Sequence, residues 1–82
     1  MSYYVYMLKS RGVKSVTYVG YTRDIKQRIA LHNSGKGAKF TRGRSWKLIY
    51  KEVFNSKSKA ISREYYIKKN RTLRNKIKNK NI

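Results

Sequence analysis

The chain has 82 residues, carries 22 Lys and Arg against 3 Asp and Glu, and so has a formal net charge of +19. A fold this small hides only about 60% of the surface its unfolded chain exposes, so the core must be thin. With no cysteine and a single histidine, the composition excludes a disulfide framework, a thiolate metal site and a multi-histidine zinc cage in a monomer.

A chain this basic calls for a polyanionic partner. Nucleic acid is the commonest, because counterion release from phosphates drives such binding. An anionic membrane surface would require a basic helix with a broad apolar face. The basic carboxy end offers only Leu73, Ile77 and Ile82 as aliphatics, which is thin for that role. The amino end lacks an apolar run long enough for a signal peptide or a span, so no membrane association is expected and the protein is expected to be cytoplasmic and nucleoid-associated.

In chain order, "YYVYML" at residues 3 to 8 alternates Tyr4, Tyr6 and Leu8 with Tyr3, Val5 and Met7, and its aromatic and β-branched content predicts a strand. "SRGVKS" reads as a turn around Gly12, and residues 16 to 21, "VTYVGY", as the second strand of a hairpin. Thr22 is a candidate N-cap, with Asp24 in the first turn, for a helix "DIKQRIALHN" that ends near Asn33 to Gly35. "SGKGAKFTRGRS" reads as a mobile basic loop. "WKLIYKEVF", residues 46 to 54, reads as a third strand. "SKSKAISREYYIKKN" follows as a helix capped by Ser56 or Ser58, and Asn70 can cap a last basic helix or tail built on Leu73 and Ile77. The expectation is one α+β domain over residues 1–82, a small three-stranded antiparallel sheet flanked by helices in the order β-β-α-β-α-α.

Two helical faces break the apolar pattern. Ala60, Ile61, Glu64 and Ile67 fall on one stripe, so the helix that buries its aliphatics also turns Glu64 toward the sheet. That carboxylate either pairs with Arg28 or another cation, or holds a hard cation such as Mg²⁺ together with waters and a phosphate. Ile25, Arg28, Ile29 and His32 share a face by the same spacing; a histidine there is commonly a satisfied core group, and arginine can snorkel to water. Of the other acids, Asp24 suits a helix dipole and Glu52 a cross-strand ion pair. What favours chemistry is coincidence: both helices aim polar groups at a hairpin face that shows Tyr4, Tyr6 and Tyr18. Gly20, on the same strand face as Tyr18, removes a side chain beside the tyrosines and lets a backbone or ligand come close. Tyr3, on the opposite face, is expected to pack.

Over about residues 3 to 70 the chain resembles the GIY-YIG endonuclease superfamily, in particular its small single-domain bacterial members related to the amino-terminal nuclease domain of UvrC. Tyr4-Val5-Tyr6 stands at the Gly-Ile-Tyr motif and Tyr18-Val19-Gly20 at the Tyr-Ile-Gly motif. "RDIKQRIALHNSGKGAKFTRG" matches the following helix and loop, with Arg28 and His32 at the functional positions, and "SKSKAISREYYIK" matches the helix of the metal-binding glutamate, at Glu64. The first motif opens with Tyr4 instead of glycine. For the asparagine that many members carry after the glutamate, the candidates are Asn70, Asn75 and Asn79.

The resemblance implies hydrolysis of a DNA phosphodiester with one divalent cation, Mg²⁺ or Mn²⁺, anchored by Glu64. Arg28 would hold a phosphate oxygen. Tyr6 or Tyr18 would take a proton from water, which requires a phenol pulled below its usual ~10; a metal, Arg28 and the positive field act in that direction. His32 would orient a tyrosine or the water, or relay the proton. Lys36, Lys39, Arg42 and Arg44 on the loop, with Lys68, Lys69 and Arg71, would grip the phosphate backbone without reading sequence. Selectivity would then rest on nucleic-acid shape, as in repair or recombination, and a domain this small suits a monomer working within a larger repair complex. The competing reading is a non-catalytic nucleic-acid-binding module on the same scaffold, with the tyrosines as stacking platforms.

Overall fold

The computed structural model describes residues 2–80; Ile82, counted among the aliphatics of the basic end, lies outside the described residues. Three strands, β1 (Tyr3–Ser10), β2 (Thr17–Thr22) and β3 (Trp46–Phe54), form one antiparallel sheet in the order β2-β1-β3. The helices are α1 (Ile25–Asn33), α2 (Lys57–Lys69) and α3 (Arg71–Lys80), and a short 3-10 turn spans Lys39–Thr41. The element order is the expected one. Each boundary has a local cause. The hairpin turn closes through Ser10, whose backbone N–H donates to Val16 O and whose hydroxyl accepts from Val16 N–H, and Gly12 supplies a φ of 112°.

Asp24, rather than Thr22, is the N-cap of α1: its carboxylate accepts from Gln27 N–H at 3.0 Å, while the Thr22 hydroxyl accepts from Asp24 N–H one step earlier. Ser56 caps α2 through Lys59 N–H. Asn70 ends α2 and starts α3, its side-chain oxygen accepting from Leu73 N–H at 3.0 Å.

Both faces of the sheet are covered. Val5, Met7 and Val19 on one face pack with Ala60, Ile67 and Ile77 from α2 and α3. Tyr6, Leu8 and Trp46 on the other pack with Tyr18, Leu48 and, from α1, Ile25 and Ile29. The third strand serves both layers, and it is bulged: Met7 pairs with Tyr50 but Leu8 with Leu48, so Ile49 is an extra residue. The bulge breaks the alternation, placing Leu48 with one layer and both Ile49 and Tyr50 with the other.

Two expectations change. The buried stripe of α2 is narrower than the spacing suggests, since Ala60 and Ile67 are buried while Ile61 is 40% exposed. Glu52 pairs with a helix rather than across strands: Arg63 of α2 donates to both its carboxylate oxygens, at 2.9 and 3.2 Å from Nε, and Tyr50 donates its hydroxyl to the same group. That network ties α2 to β3. Arg63 and Tyr50 hold the Glu52 carboxyl below its ordinary range, against the opposing effect of burial.

The difference between the two isoleucines is measurable. Ile67→Ala is expected to cost about 2–5 kcal/mol, and Ile61→Ala less than about 0.5 kcal/mol, in guanidinium unfolding followed by circular dichroism. Equal losses would show that α2 docks by a different face.

Candidate active site

Tyr6 stands directly opposite Gly20 in the β1-β2 register, so both point to the same face. A Cβ on Gly20 would lie 2.5 Å from the Tyr6 hydroxyl and 2.8 Å from Cζ. The absent side chain is therefore what lets the Tyr6 ring lie across the second strand.

The Tyr6 hydroxyl is 2.8 Å from His32 Nε2, and His32 Nδ1 is 2.9 Å from Thr41 Oγ1. The tyrosine, histidine and threonine are 2%, 1% and 0% exposed, so this chain of groups is buried, and of the three only the tyrosine borders the open cleft. Its proton arrangement follows from counting donors. Thr41 Oγ1 lies 2.8 Å from Ala38 O, a carbonyl that can only accept, so the single hydroxyl proton points there. Thr41 Oγ1 then accepts, from Ala38 N–H at 3.2 Å and from His32 Nδ1–H. The proton of neutral His32 thus sits on Nδ1, leaving Nε2 bare to accept the Tyr6 O–H. Burial, with Arg28 adding to it, holds the His32 pKa below 6.5 and keeps the ring neutral.

The Tyr6 phenol departs from expectation. Burial raises its pKa well above 10, the neighbouring Tyr18 and Glu64 add to the rise, and only Arg28 opposes it. The free protein therefore does not hold a ready phenolate at Tyr6, because desolvation outweighs one guanidinium.

Tyr6 forms part of the floor of an open cleft of about 560 Å³ whose walls include Tyr18, Gly20, Arg28 and Glu64. Glu64 gets there by an unforeseen route. Its helix covers the Val5-Met7-Val19 face, opposite the tyrosines, but α2 also packs beside β2, an edge strand. Glu64 and Lys68 look round that edge: Lys68 Nζ is 5.9 Å from the Tyr18 ring centre and 3.5 Å from Glu64 Oε2. Lys68, rather than Arg28, is thus the ion-pair partner of Glu64.

Five residues singled out in the sequence, Tyr6, Tyr18, Arg28, His32 and Glu64, are brought together here, with His32 behind Tyr6 and the other four on the cleft. Tyr4 does not line the cleft, whereas Tyr3 does, packing against the core while Arg23 lies 5.7 Å over its ring. Of the seven cations expected to grip phosphate, Lys68 borders Glu64 and Tyr18. Lys36, Lys39, Arg42 and Arg44 are exposed on the loop, Lys69 lies 4.7 Å over the Tyr65 ring, and Arg71 begins α3. Arg23 and Lys57 line the cleft and were missed in the sequence, as was Thr41. The basic loop is pinned rather than loose: Thr41 is fully buried, and its carbonyl accepts from Trp46 Nε1 at 3.0 Å. The one signal in the sequence is that Thr41 is the only β-branched residue between His32 and Trp46. Among the asparagines, Asn70 is committed to joining α2 and α3.

Among the described residues there is no group of three or more His, Cys, Asp or Glu able to hold a metal, and no helix long and apolar enough to cross a membrane. One carboxylate on an open cleft does fit a hard divalent cation that keeps most of its waters and takes further oxygens from a phosphate.

A profile described as the GIY-YIG catalytic domain matches residues 2–78. A UPF0213 protein of Clostridium perfringens is 52% identical over 67 residues, which cover 80% of this chain and 70% of that protein. One from Staphylococcus haemolyticus is 49% identical over 67 residues, with 80% and 79% covered. The solution NMR structure of the UPF0213 protein of Bacillus halodurans shares 40% identity and a TM-score of 0.56, over 94% of this chain and 82% of that one. A match that spans nearly the whole chain, with relatives this similar, means that the chain belongs to the GIY-YIG nuclease family.

Proposed function

We propose that this protein is a metal-dependent DNA endonuclease that hydrolyses phosphodiester bonds and selects its substrate by DNA structure, as repair or recombination would require. The observation that carries this reading is the convergence of the Tyr6-His32 hydrogen bond with Arg28 and Glu64 at one cleft. Simple binding to DNA needs neither a buried proton acceptor nor a carboxylate facing phosphate.

Arg28 meets a phosphate oxygen, where its fixed charge favours the negative charge that grows in the transition state. Water attacking phosphorus gives its proton to the Tyr6 oxygen as Tyr6 passes its own to His32 Nε2. The raised phenol pKa makes a concerted transfer the fitting route, because Tyr6 never has to persist as phenolate. His32 ends as an imidazolium, with Nδ1–H held by Thr41 throughout. Glu64 would hold Mg²⁺ or Mn²⁺, which when bound supplies positive charge at the scissile phosphate and the leaving oxygen. Tyr18, across the cleft floor from Tyr6 with ring centres 6.5 Å apart, fits a role in placing the water.

The direct test incubates supercoiled, nicked and branched DNA with the protein, with and without Mg²⁺ or Mn²⁺. Wild type is expected to cut at least one of these only with metal, and Glu64→Ala none while still binding DNA in EDTA. Tight, salt-sensitive binding with no cleavage of any substrate would instead identify a binding module.

The proton route makes a separate prediction. Thr41→Val keeps the shape but removes the acceptor for Nδ1–H, and is expected to lower kcat about 100-fold, the low end of what a positioned proton acceptor contributes, with little change in KM. Thr41→Ser stays near wild type, and ¹⁵N chemical shifts of His32 should report the proton on Nδ1 in wild type and its loss from that site in the valine variant.

Since His32 must be neutral to accept, and its pKa lies below 6.5, activity should be level near neutral pH. It should then fall tenfold per pH unit once pH drops below that lowered value. A profile that instead rises steadily to about pH 10 would identify a free phenolate as the base.

A further inference from the structure

A second concavity, of about 280 Å³, adjoins the cleft and is lined by Thr17, Tyr18, Val19, Phe40, Lys68 and Arg74. Tyr18 belongs to both, so the two are neighbours across one ring. Phe40 is 55% exposed, an unusual position for a phenyl group in a loop of glycines and cations. It is not left loose. Its ring lies 22° from parallel to Tyr18, with centres 6.2 Å apart, and 6.3 Å from Trp46, which is itself 1% exposed. The next residue, Thr41, is fully buried and bonded to His32 and Ala38, so the backbone that carries Phe40 is anchored at its base. A fixed aromatic surface is therefore presented beside the cleft, at the apolar cost of exposing it.

The opposite wall is cationic. Lys68 Nζ reaches over Tyr18, and Arg74 is held in place by donating to the carbonyls of Ile67, at 3.0 Å, and Lys68. A ligand for such a groove has a flat π face on one side and an anion on the other. A nucleotide has both, but within a duplex the faces of its base are covered by stacked neighbours and only an unpaired one is free to stack on protein.

We infer that the groove of Phe40, Tyr18, Lys68 and Arg74 binds an unpaired nucleotide of DNA immediately beside the scissile phosphate, its base stacked on Phe40 and its phosphate against Lys68 and Arg74. The inference rests on the nuclease reading for the position of that phosphate. It gives the substrate class as single-stranded DNA or the single-stranded side of a junction, selected without contacts to base edges.

The test measures binding in EDTA, so that cleavage does not enter, by fluorescence anisotropy of a labelled single-stranded oligothymidylate and of a blunt duplex of equal length. Phe40→Leu keeps an apolar side chain but removes the ring, and is expected to weaken the single strand about tenfold or more. The duplex should change by less than about twofold, as expected of phosphate contacts alone. Phe40→Tyr should retain the single-strand affinity, and thermal unfolding of each variant shows whether the loop still folds. A 2-aminopurine at the first unpaired position of a flap should be quenched by wild type and by Phe40→Tyr, but not by Phe40→Leu. Equal losses on strand and duplex, or no loss on the strand, would overturn the inference. Wild type that cuts DNA with metal while Phe40 proves dispensable overturns the groove alone; wild type that binds strands through Phe40 but never cuts overturns the nuclease reading alone.

Discussion

A buried line of hydrogen bonds from Thr41 through His32 to Tyr6 joins three parts of the chain that are far apart in sequence: the basic loop, the first helix and the central strand. The line sets the loop and the helix against the strand, because the loop has no other fully buried side chain between His32 and Trp46, and His32 is the only fully buried residue of α1. None of the three polar groups is left without a partner; among the described residues no buried side-chain nitrogen or oxygen lacks one. The line is also directional. Since Thr41 can donate only once and donates to Ala38 O, every proton along it is assigned, and the direction ends at a bare Nε2 facing a phenol. Gly20 completes the constraint from the far side, and Gly37 does the same for the histidine, since a Cβ there would collide with the imidazole ring.

Electrostatics explains why so few acids are enough. Against a net charge of +19 the chain has three acids, and each has one local task. Asp24 caps α1, Glu52 holds Arg63 and Tyr50 so that α2 stays on β3, and Glu64 faces the cleft. Glu52 and Glu64 come from different elements but depend on one another: the Glu52-Arg63 pair fixes the helix whose next residue is Glu64. A fold with a thin core thus spends its polar contacts on orienting one helix.

The sequence made the element order and most caps legible because these are local. Alternation marked the strands, and Ser56 and Asn70 sit where helix ends need acceptors. That Tyr6, Tyr18, Arg28, His32 and Glu64 would come together was also legible, from polar intrusions on apolar stripes and from family motifs. What was not legible depends on long-range placement. That Glu64 reaches the tyrosines from the opposite layer follows from β2 being an edge strand, which no helical spacing encodes. The bulge at Ile49 is a matter of register between strands about 40 residues apart. Thr41 sits in a segment with no periodicity, so its burial left no pattern to read. Arg28 lowers the Tyr6 pKa as expected, but burial outweighs it, and net positive charge is visible in a sequence whereas desolvation is not.

The last link is the lysine beside the glutamate. Lys68 lies one turn after Glu64 on α2, with Nζ 3.5 Å from the carboxylate, and its side chain is 47% exposed against 17% for Glu64. On an open helix surface a pair of this spacing is worth about 0.3–0.5 kcal/mol, and because the lysine end is half exposed, Lys68 would give way at modest cost were Glu64 to take another cation. Its ammonium already lies 5.9 Å from the Tyr18 ring centre, so on leaving the carboxylate it would stay beside the groove that Phe40 and Arg74 border. One flexible side chain can therefore keep Glu64 neutralised in the free protein and meet a phosphate in the complex. That exchange needs no movement of backbone, which suits a site whose backbone is held by a buried hydrogen-bond line on one side and a helix-to-strand ion pair on the other.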